Sequence, residues 1–556
     1  MASTYDELLF VPLGGVGEIG MNLALYGLGA GKLREWICVD MGVAFADAEV
    51  PGIDLIMPDI RFLEGERKNL KGIVLTHGHE DHVGAIFDLW PKLEVPVYAT
   101  PFTAALIDSK RMMEEGAPKI PIRVVQPGAR VGVGPFDVEF VPVAHSIPES
   151  NALAIRTPLG LVVHTGDWKL DATPVIGAIT DEKKFRALGE EGVRAVVCDS
   201  TNAVREGQSP SESDVAKRLA EIVKAARGRV AVTTFASNVA RIRSAALAAA
   251  AAGREVVVVG RAMERIVNVA REMRLLDGVP QFRGVDAYAS LPRERTLVLL
   301  TGSQGEPRAA LARIAGDDHP DIELDHGDTL IFSSRTIPGN EKAVNRILNE
   351  MIRRGIKVIT DRTDLVHVSG HPRRGELAAL YQWLKPEVAV PVHGEALHLS
   401  EHAALARSEG IKEVVLCGDG DVLRLAPAPA AVIDEVPSGR LYRDGLLLIE
   451  AEARTVVERK RLGFSGVVSV ALALGSRGEI ASEPNVELSG LPEFAHGGKT
   501  MENVVLDAIE DALQSLPKPR RRDPDAIEEA IIRSVRGQVS AVWGKKPVCH
   551  VIVLQV

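Results

Sequence analysis

The chain has 556 residues, 46% of them hydrophobic and 25% charged, with a formal net charge of −10. One hydrophobic core does not grow to that size, so two to four domains are expected, and the composition excludes a disordered or collagen-like chain. The acidic balance argues against a nucleic-acid coat protein, though a local basic cleft remains compatible with it.

The first residues, Met-Ala-Ser-Thr-Tyr-Asp-Glu, lack a basic n-region and an apolar h-region, so no signal peptide is expected. The longest apolar run, 245–253, lies between Arg243 and Arg254 and is too short to span a bilayer. Cys38, Cys198, Cys417 and Cys549 form no C-x-x-C pair and read as apolar residues of a reducing compartment. A cytoplasmic location without membrane association follows as the expectation.

Residues 1–200 read as short strands between glycine-rich turns: 8–13, 36–40, 72–76, 138–143, 161–165 and 194–199. From 201 to 370 helices and strands alternate. Helices are predicted at 212–226, 238–252, 307–315 and 341–354, and strands at 229–234, 255–260, 296–301, 328–333 and 356–360, a parallel α/β pattern. A strand at 388–392 lies between two helices in the next segment. The run Ala426-Pro-Ala-Pro-Ala-Ala431 reads as the start of a linker through 449. Two charged helices near 500–515 and 524–542 and a strand at 550–554 complete a small α+β domain from 450 to 556.

The chemistry concentrates in Leu75-Thr76-His77-Gly78-His79-Glu80-Asp81-His82, directly after an apolar strand. Imidazole and carboxylate at this density suit zinc and similar divalent ions. A polar surface turn is the plain alternative, but three of the chain's 14 histidines in six positions argue against it. His145, Asp167 and His393 each come just past a strand end, so all could converge at one sheet edge. Alone, His145 or His393 could equally be a satisfied core histidine; with the loop, the metal reading dominates. His164 reads as structural.

Two look-alikes fail. Gly15-Val-Gly-Glu-Ile-Gly20 is formally a dinucleotide fingerprint with Asp40 about 20 residues on, but a strand rather than a helix is predicted after the glycines. Gly498-Lys-Thr500 resembles the end of a phosphate loop, but Glu493 occupies the position of its first glycine.

H-x-H-x-D-H is the signature of the metallo-β-lactamase superfamily. The insertion between Asp199 and His371 resembles the β-CASP domain. Thr301-Gly-Ser-Gln-Gly-Glu-Pro307, Phe235-Ala-Ser-Asn238 with Val239-Ala-Arg241, and Ser333-Ser-Arg-Thr-Ile-Pro-Gly-Asn-Glu341 resemble the ribonuclease J family across residues 8–425. The resemblance implies an α/β protein. Its parts are a metallo-β-lactamase αββα sandwich (1–200 with 371–430), a parallel α/β β-CASP insertion (201–370), the linker (431–449) and the C-terminal α+β domain.

It also implies a ribonuclease of single-stranded RNA, a 5′→3′ exonuclease preferring 5′-monophosphate ends with endonuclease activity, working through a hydroxide shared by two metal ions. Zinc fits best, with manganese as the alternative. By resemblance His77, His79 and His145 hold one ion, Asp81, His82 and His393 the other, with Asp167 bridging and Asp40 orienting a ligand histidine. Asp81, Asp199, His367 and His393 carry catalysis, and Ala236, Ser237, Asn238, His367, Val368, Ser369, Gly370 and His371 grip the RNA's 5′ phosphate. For Ser237-Asn238 the alternative is a plain helix cap. Asp54 and Asp444 match a structural calcium or magnesium site. A homodimer or homotetramer and partners in an RNA-degradation complex follow from the same resemblance. A metal-free RNA-binding scaffold and an ester or lactam hydrolase are the competing functions. The filled ligand positions oppose the first, and the insertion opposes the second. With 4% aromatic residues, few stacking platforms are expected, so RNA contacts should be mainly to its backbone. The basic run Lys518-Pro-Arg-Arg-Arg522 reads as a solvated stretch preceding a helix.

Overall fold

The computed structural model describes residues 6–46, 49–337, 339–475 and 479–556. Residues 1–5 of the N-terminal reading and Pro338 of the 333–341 motif lie outside the described residues. The chain forms two compact units, Met1–Phe45 with Leu55–Leu441, and Ala46–Asp54 with Tyr442–Val556.

In the first unit two sheets face each other. One runs, in spatial order, through Ala431–Glu435, Asp421–Ala426, Leu8–Gly14, Leu23–Leu28, Glu35–Val39, Leu70–Val74, Val97–Ala99 and Ile122–Val124. The other runs through Glu413–Val414, Val388–Val392, Val193–Asp199, Gly160–His164, Asn151–Thr157, Phe136–Pro142 and Arg130–Val133. The period-2 rule shows why Val193–Asp199 is apolar throughout. Ala195 and Val197 point into the core between the sheets, where Phe10, Tyr26 and Phe140 lie. Val196 and Cys198 point to the opposite face, where Phe185, Leu380 and Tyr381 of the flanking helices cover them. This is the helix-covered two-sheet sandwich that the family resemblance implied.

The insertion is a five-stranded parallel sheet ordered Glu255–Val259, Thr296–Leu300, Val230–Thr233, Thr329–Phe332, Lys357–Thr360. Chain order reverses direction between Val230–Thr233 and Thr329–Phe332. In such sheets the crevice at the strands' carboxyl ends at that point is the natural ligand site. Here Arg241, fully buried, pairs with Glu212 through Nε at 2.8 Å and Nη2 at 3.0 Å. Its Nη1 also donates to the Ser333 carbonyl at 3.0 Å and the Val366 carbonyl at 2.9 Å. A buried guanidinium persists only with such full pairing, and it fixes 333–335 and 366–371 beside the helix that starts after Asn238.

Residues 431–449 depart from the linker expectation. They carry the strands Ala431–Glu435 and Arg440–Asp444 and the start of Leu447–Glu450. Ala431–Glu435 pairs antiparallel with Asp421–Ala426, and Pro427 and Pro429 lie in the connection between them, where no ladder hydrogen bond is required of them. In the second unit, the helices Met501–Ser515 and Pro524–Trp543 cover the sheet Asn485–Ser489, Val467–Leu474, Val548–Gln555. Leu23–Leu28 is a strand, so the glycine run before it opens no dinucleotide-binding helix. The four cysteines are free thiols, Cys38 and Cys198 buried and Cys417 and Cys549 half-buried. No helix among the described residues is long and apolar enough to cross a membrane.

His402 gives the fold a pH dependence of its own. It is fully buried between Ser200 Oγ and Tyr381 OH, each at 2.8 Å, and burial lowers its pKa to about 4. The unfolded chain binds this proton below pH ~6.5, but the folded site refuses it until about 4. Stability is therefore lost as pH falls through that window, by about 3 kcal/mol for this group. Urea unfolding of wild type and His402→Gln should show their stability difference shrinking by about that amount from pH 7 to pH 4. A constant difference would refute the assignment.

Candidate metal centre

The sandwich gathers its polar residues where strands end. Leu70–Val74 delivers Thr76 and His77, Glu35–Val39 delivers Asp40, and Val388–Val392 delivers His393. Asp40 and His393 both take left-handed φ, +63° and +54°. Non-glycine residues adopt that region only where the surroundings impose it, commonly at functional sites. Asp40 accepts Thr76 N on Oδ1 and Thr76 Oγ1 on Oδ2, both at 2.8 Å, and its Oδ2 also lies 2.7 Å from His82 Nδ1. It thus orients His82 and the entry to the histidine loop.

Hydrogen bonding assigns the ring nitrogens. Nδ1–H of His82 donates to Asp40, Nδ1–H of His145 to the Gly370 carbonyl at 2.7 Å, and Nδ1–H of His393 to Asn22 Oδ1 at 2.8 Å. Thr76 Oγ1–H is committed to Asp40, so its oxygen accepts Nδ1–H of His77 at 3.0 Å. All four therefore direct Nε2 inward, that of His82 lying 3.1 Å from Asn22 Nδ2. His77 Nε2 and His145 Nε2 each lie 3.1 Å from His79 Nδ1, and Asp167 Oδ2 lies 3.8 and 3.6 Å from the first two. Asp167 Oδ1 faces the other group, 3.3 Å from His82 Nε2 and 3.6 Å from His393 Nε2, with Asp81 Oδ2 3.6 and 3.9 Å from those nitrogens.

Ligands about 2.1 Å from a tetrahedral ion stand about 3.4 Å apart, which is the spacing of both groups. The residues therefore fit two divalent ions, His77/His79/His145/Asp167 and Asp81/His82/Asp167/His393, with one carboxylate oxygen facing each. His393 Nε2 is buried without a hydrogen-bond partner among the described residues, as a nitrogen reserved for a metal would be.

Charge follows the same division. Burial holds His79 and His145 down to about 3 and His77 well below the usual histidine range, so all three are neutral ligands at pH 7. Burial opposes ionisation of Asp167, but the charges of His393, His82 and His371 hold its carboxyl well below the usual carboxylate range. His164 is buried 2.9 Å from Tyr26 OH with its pKa lowered to about 4 by burial, in the structural place expected of it.

Asp199, expected with His367 among the catalytic residues, is paired with His371. Asp199 Oδ2 accepts His371 Nδ1–H at 2.8 Å, and His371 stacks on His393 at 5.6 Å between centroids. The Ser369-Gly370 turn decides this. Gly370 lies so close to His145 that a Cβ there would come within 2.6 Å of the ring. The chain can therefore carry His371 into the cavity while His367 stays behind. His367 faces the Ser333 backbone, and burial with the Arg241 and Arg335 charges keeps it neutral.

Around it the predicted phosphate stretch meets the insertion's crevice. Thr233 Oγ1, Thr234 Oγ1, Ser334 Oγ and His367 Nδ1 are buried there without partners among the described residues. Ser333 N donates to the Thr233 carbonyl, so these strand ends are neighbours. Asn238 caps the helix Val239–Ala251, accepting Arg241 N at 2.9 Å, so its side chain does what a plain cap does. Ala236 and Ser237 precede it on the same loop, and Val368 packs in the core beneath. Ser369 Oγ accepts Asn202 Nδ2 at 2.9 Å.

Asp54 Oδ2 accepts Gly445 N at 3.0 Å, and Asp444 Oδ2 lies 2.7 Å from Arg459 Nη2.

Asn22 escaped the sequence reading. Besides His393, it binds the Asp81 carbonyl through Nδ2 at 3.0 Å and so ties together two parts of one ligand set. Its one signal is a polar residue placed just beyond the glycine run that imitates a nucleotide fingerprint.

Four family descriptions match the chain: "Metallo-beta-lactamase superfamily" over residues 41–260, "Ribonuclease J, beta-CASP domain" over 227–351, "Zn-dependent metallo-hydrolase RNA specificity domain" over 355–417 and "Ribonuclease J C-terminal domain" over 454–556. The chain is 55% identical over 551 residues to ribonuclease J of Sinorhizobium meliloti, covering 99% of this chain and 98% of that protein. It is 38% identical to ribonuclease J of Corynebacterium glutamicum (98% and 75% covered) and 35% identical to that of Thermus thermophilus (99% and 96%). A crystal structure of a protein of unknown function from Enterococcus faecalis, 17% identical, aligns over 75% of this chain and 100% of that one with a TM-score of 0.54, a likeness of fold.

Proposed function

Because the chain belongs to the ribonuclease J family, we propose that this metal-dependent RNA hydrolase removes nucleotides 5′→3′ from 5′-monophosphorylated single-stranded RNA and also cuts internally. One observation carries the reading: two ligand groups share Asp167 beside a crevice of unpartnered hydroxyls. When bound, two divalent ions supply Lewis-acid activation of water and neutralise charge at the scissile phosphate. Zinc suits these imidazoles and carboxylates best, with manganese as the alternative.

The chain's own residues do the rest. Asp40, Asn22 and the Gly370 carbonyl each hold a ligand ring by its Nδ1–H, so no reorganisation is needed when substrate arrives. His371, held by Asp199 at Nδ1, keeps Nε2–H for the departing 3′ oxygen; His371 and Asp199 thus take the role expected of Asp199 and His367. Thr234, Ser334, Ser237, His367 and the 368–371 backbone form the pocket for the terminal 5′ phosphate, and distance from that pocket to the ions measures one nucleotide. A small acyl substrate would leave this crevice unused.

Assembly into a dimer or tetramer, partners in RNA degradation, a cytoplasmic location and a cation at Asp54 and Asp444 belong to the same proposal. The edge strand Val548–Gln555, with Ile552 and Leu554 exposed, supports association, while a cation at Asp444 would have to displace Arg459.

The test compares single-stranded RNA bearing 5′-monophosphate or 5′-triphosphate, with and without chelator. Chelator-sensitive release of single 5′ nucleotides, faster from the monophosphate, is expected. Ser369→Ala should reduce that preference more than internal cutting. No cleavage by metal-loaded protein, or internal cuts alone, would overturn the corresponding part of the reading.

A further inference from the structure

Next to the residues proposed for the terminal phosphate lies a group of arginines with no role in the reaction described so far. Asn202 connects the two. Its Nδ2 donates to Ser369 Oγ at 2.9 Å and to the His371 carbonyl at 3.1 Å, and its Oδ1 accepts Arg335 Nη1 at 2.9 Å. Asn202 pairs with Arg373 as a parallel bridge, and Arg374 N donates to the Arg205 carbonyl at 2.9 Å. Segments 202–205, 373–374 and the loop at Arg335 are thereby held together, and Arg205, Arg335 and Arg373 are all half-buried.

Solvated surface arginines would spread into water. These do not. Arg373 Nε is buried and finds no partner among the described residues. Burial and then the neighbouring charges hold two guanidiniums below the usual arginine range: Arg335 by Arg205 and Arg373, and Arg205 by Arg373. Asp361 is the carboxylate that acts in the opposite sense on both. Gathering three positive charges around one negative one, partly out of water, is unfavourable unless an anion completes the group. Forked guanidiniums match phosphate oxygens in particular.

We propose that Arg205, Arg335 and Arg373 form an anion subsite that takes one phosphate group beyond the terminal 5′ phosphate. The position rests on the phosphate-pocket reading above: from Asp199 and His371 at the ions, the chain steps outward through Asn202 and Ser369 to the arginines. A phosphate there has two sources with one chemistry. It is the phosphodiester of an upstream nucleotide when RNA is cut internally, or the β-phosphate of a triphosphorylated end.

The test measures binding of metal-loaded full-length protein to three RNAs protected by phosphorothioate linkages: one with 5′-monophosphate, one with 5′-triphosphate and one extended upstream by several nucleotides. Arg205→Gln and Arg373→Gln are each expected to weaken the extended RNA, the triphosphorylated RNA or both by about tenfold. The slope of log affinity against log salt should become shallower by about 0.7 for each phosphate that the variant no longer neutralises. Binding of the monophosphate RNA should stay unchanged, which also reports an intact fold. Loss confined to the extended RNA identifies the phosphodiester, and loss confined to the triphosphate identifies the β-phosphate. Unchanged binding of all three, or equal weakening of all three, overturns the subsite. If wild type binds 5′-monophosphate and 5′-hydroxyl ends equally, the terminal pocket fails, while the subsite is still judged on the extended RNA.

Discussion

Asp167→Asn is expected to lower RNA cleavage at least about a thousandfold and to reduce the bound divalent ions from two per chain to one or none. Asp167 is the residue common to both ligand groups, with Oδ2 toward His77 and His145 and Oδ1 toward His82 and His393. The amide keeps one oxygen but turns an N–H2 donor toward the other group, where only lone pairs are useful. It also removes the charge that balances two positive ions at the floor of a buried cavity. The fold should survive, because Trp168 and the strand Gly160–His164 pack independently of the carboxylate. Metal analysis of the purified variant, a cleavage assay and a thermal melt separate these effects. Two bound ions with near-normal cleavage would remove Asp167 from the ligand set.

His371→Asn should lower kcat by about a hundredfold to ten-thousandfold, the range usual for a lost general acid, with both ions still bound. Its Nδ1–H is fixed by Asp199 at 2.8 Å, so the ring presents one remaining nitrogen to the cavity. Added imidazole should restore part of the rate to His371→Asn but none to Asp167→Asn, because a diffusible acid replaces a proton donor and not a bridging ligand. Asp199→Asn should fall in the same direction by a smaller factor, since it orients and charges His371 without touching RNA. Replacing His367 in the same assay should disturb 5′-phosphate preference and leave internal cutting far less affected. A collapse of internal cutting for His367 alone would reverse the roles assigned to the two histidines.

Much of this was written in local order. H-x-H-x-D-H places three imidazoles and a carboxylate within a single turn after a strand, so their chemistry needs no distant partner to be recognised. The alternation of helix and strand from 212 to 360 follows from hydrophobic period, and the observed elements match it except for the helix Arg261–Glu272, which the reading did not include. His145, Asp167 and His393 were legible as residues just past strand ends, a place that parallel strands share. The prolines after Ala426 mark only the connection into the paired strand Ala431–Glu435, and composition reports where a strand ends without reporting whether the chain pairs again.

The sequence by itself determined the cluster of imidazoles and carboxylates and the alternating α/β pattern of the insertion, because each rests on side-chain chemistry or on local periodicity; the two-sheet sandwich and the class of reaction came from the family resemblance that its motifs carry. Only the tertiary structure decided which histidine meets Asp199, that Asn22 holds His393, and that Asn202 joins the segments carrying Arg335 and Arg373. Those outcomes depend on where a glycine lets backbone approach an imidazole and on segments up to hundreds of residues apart packing against one another, and neither is encoded in the spacing of residues along the chain.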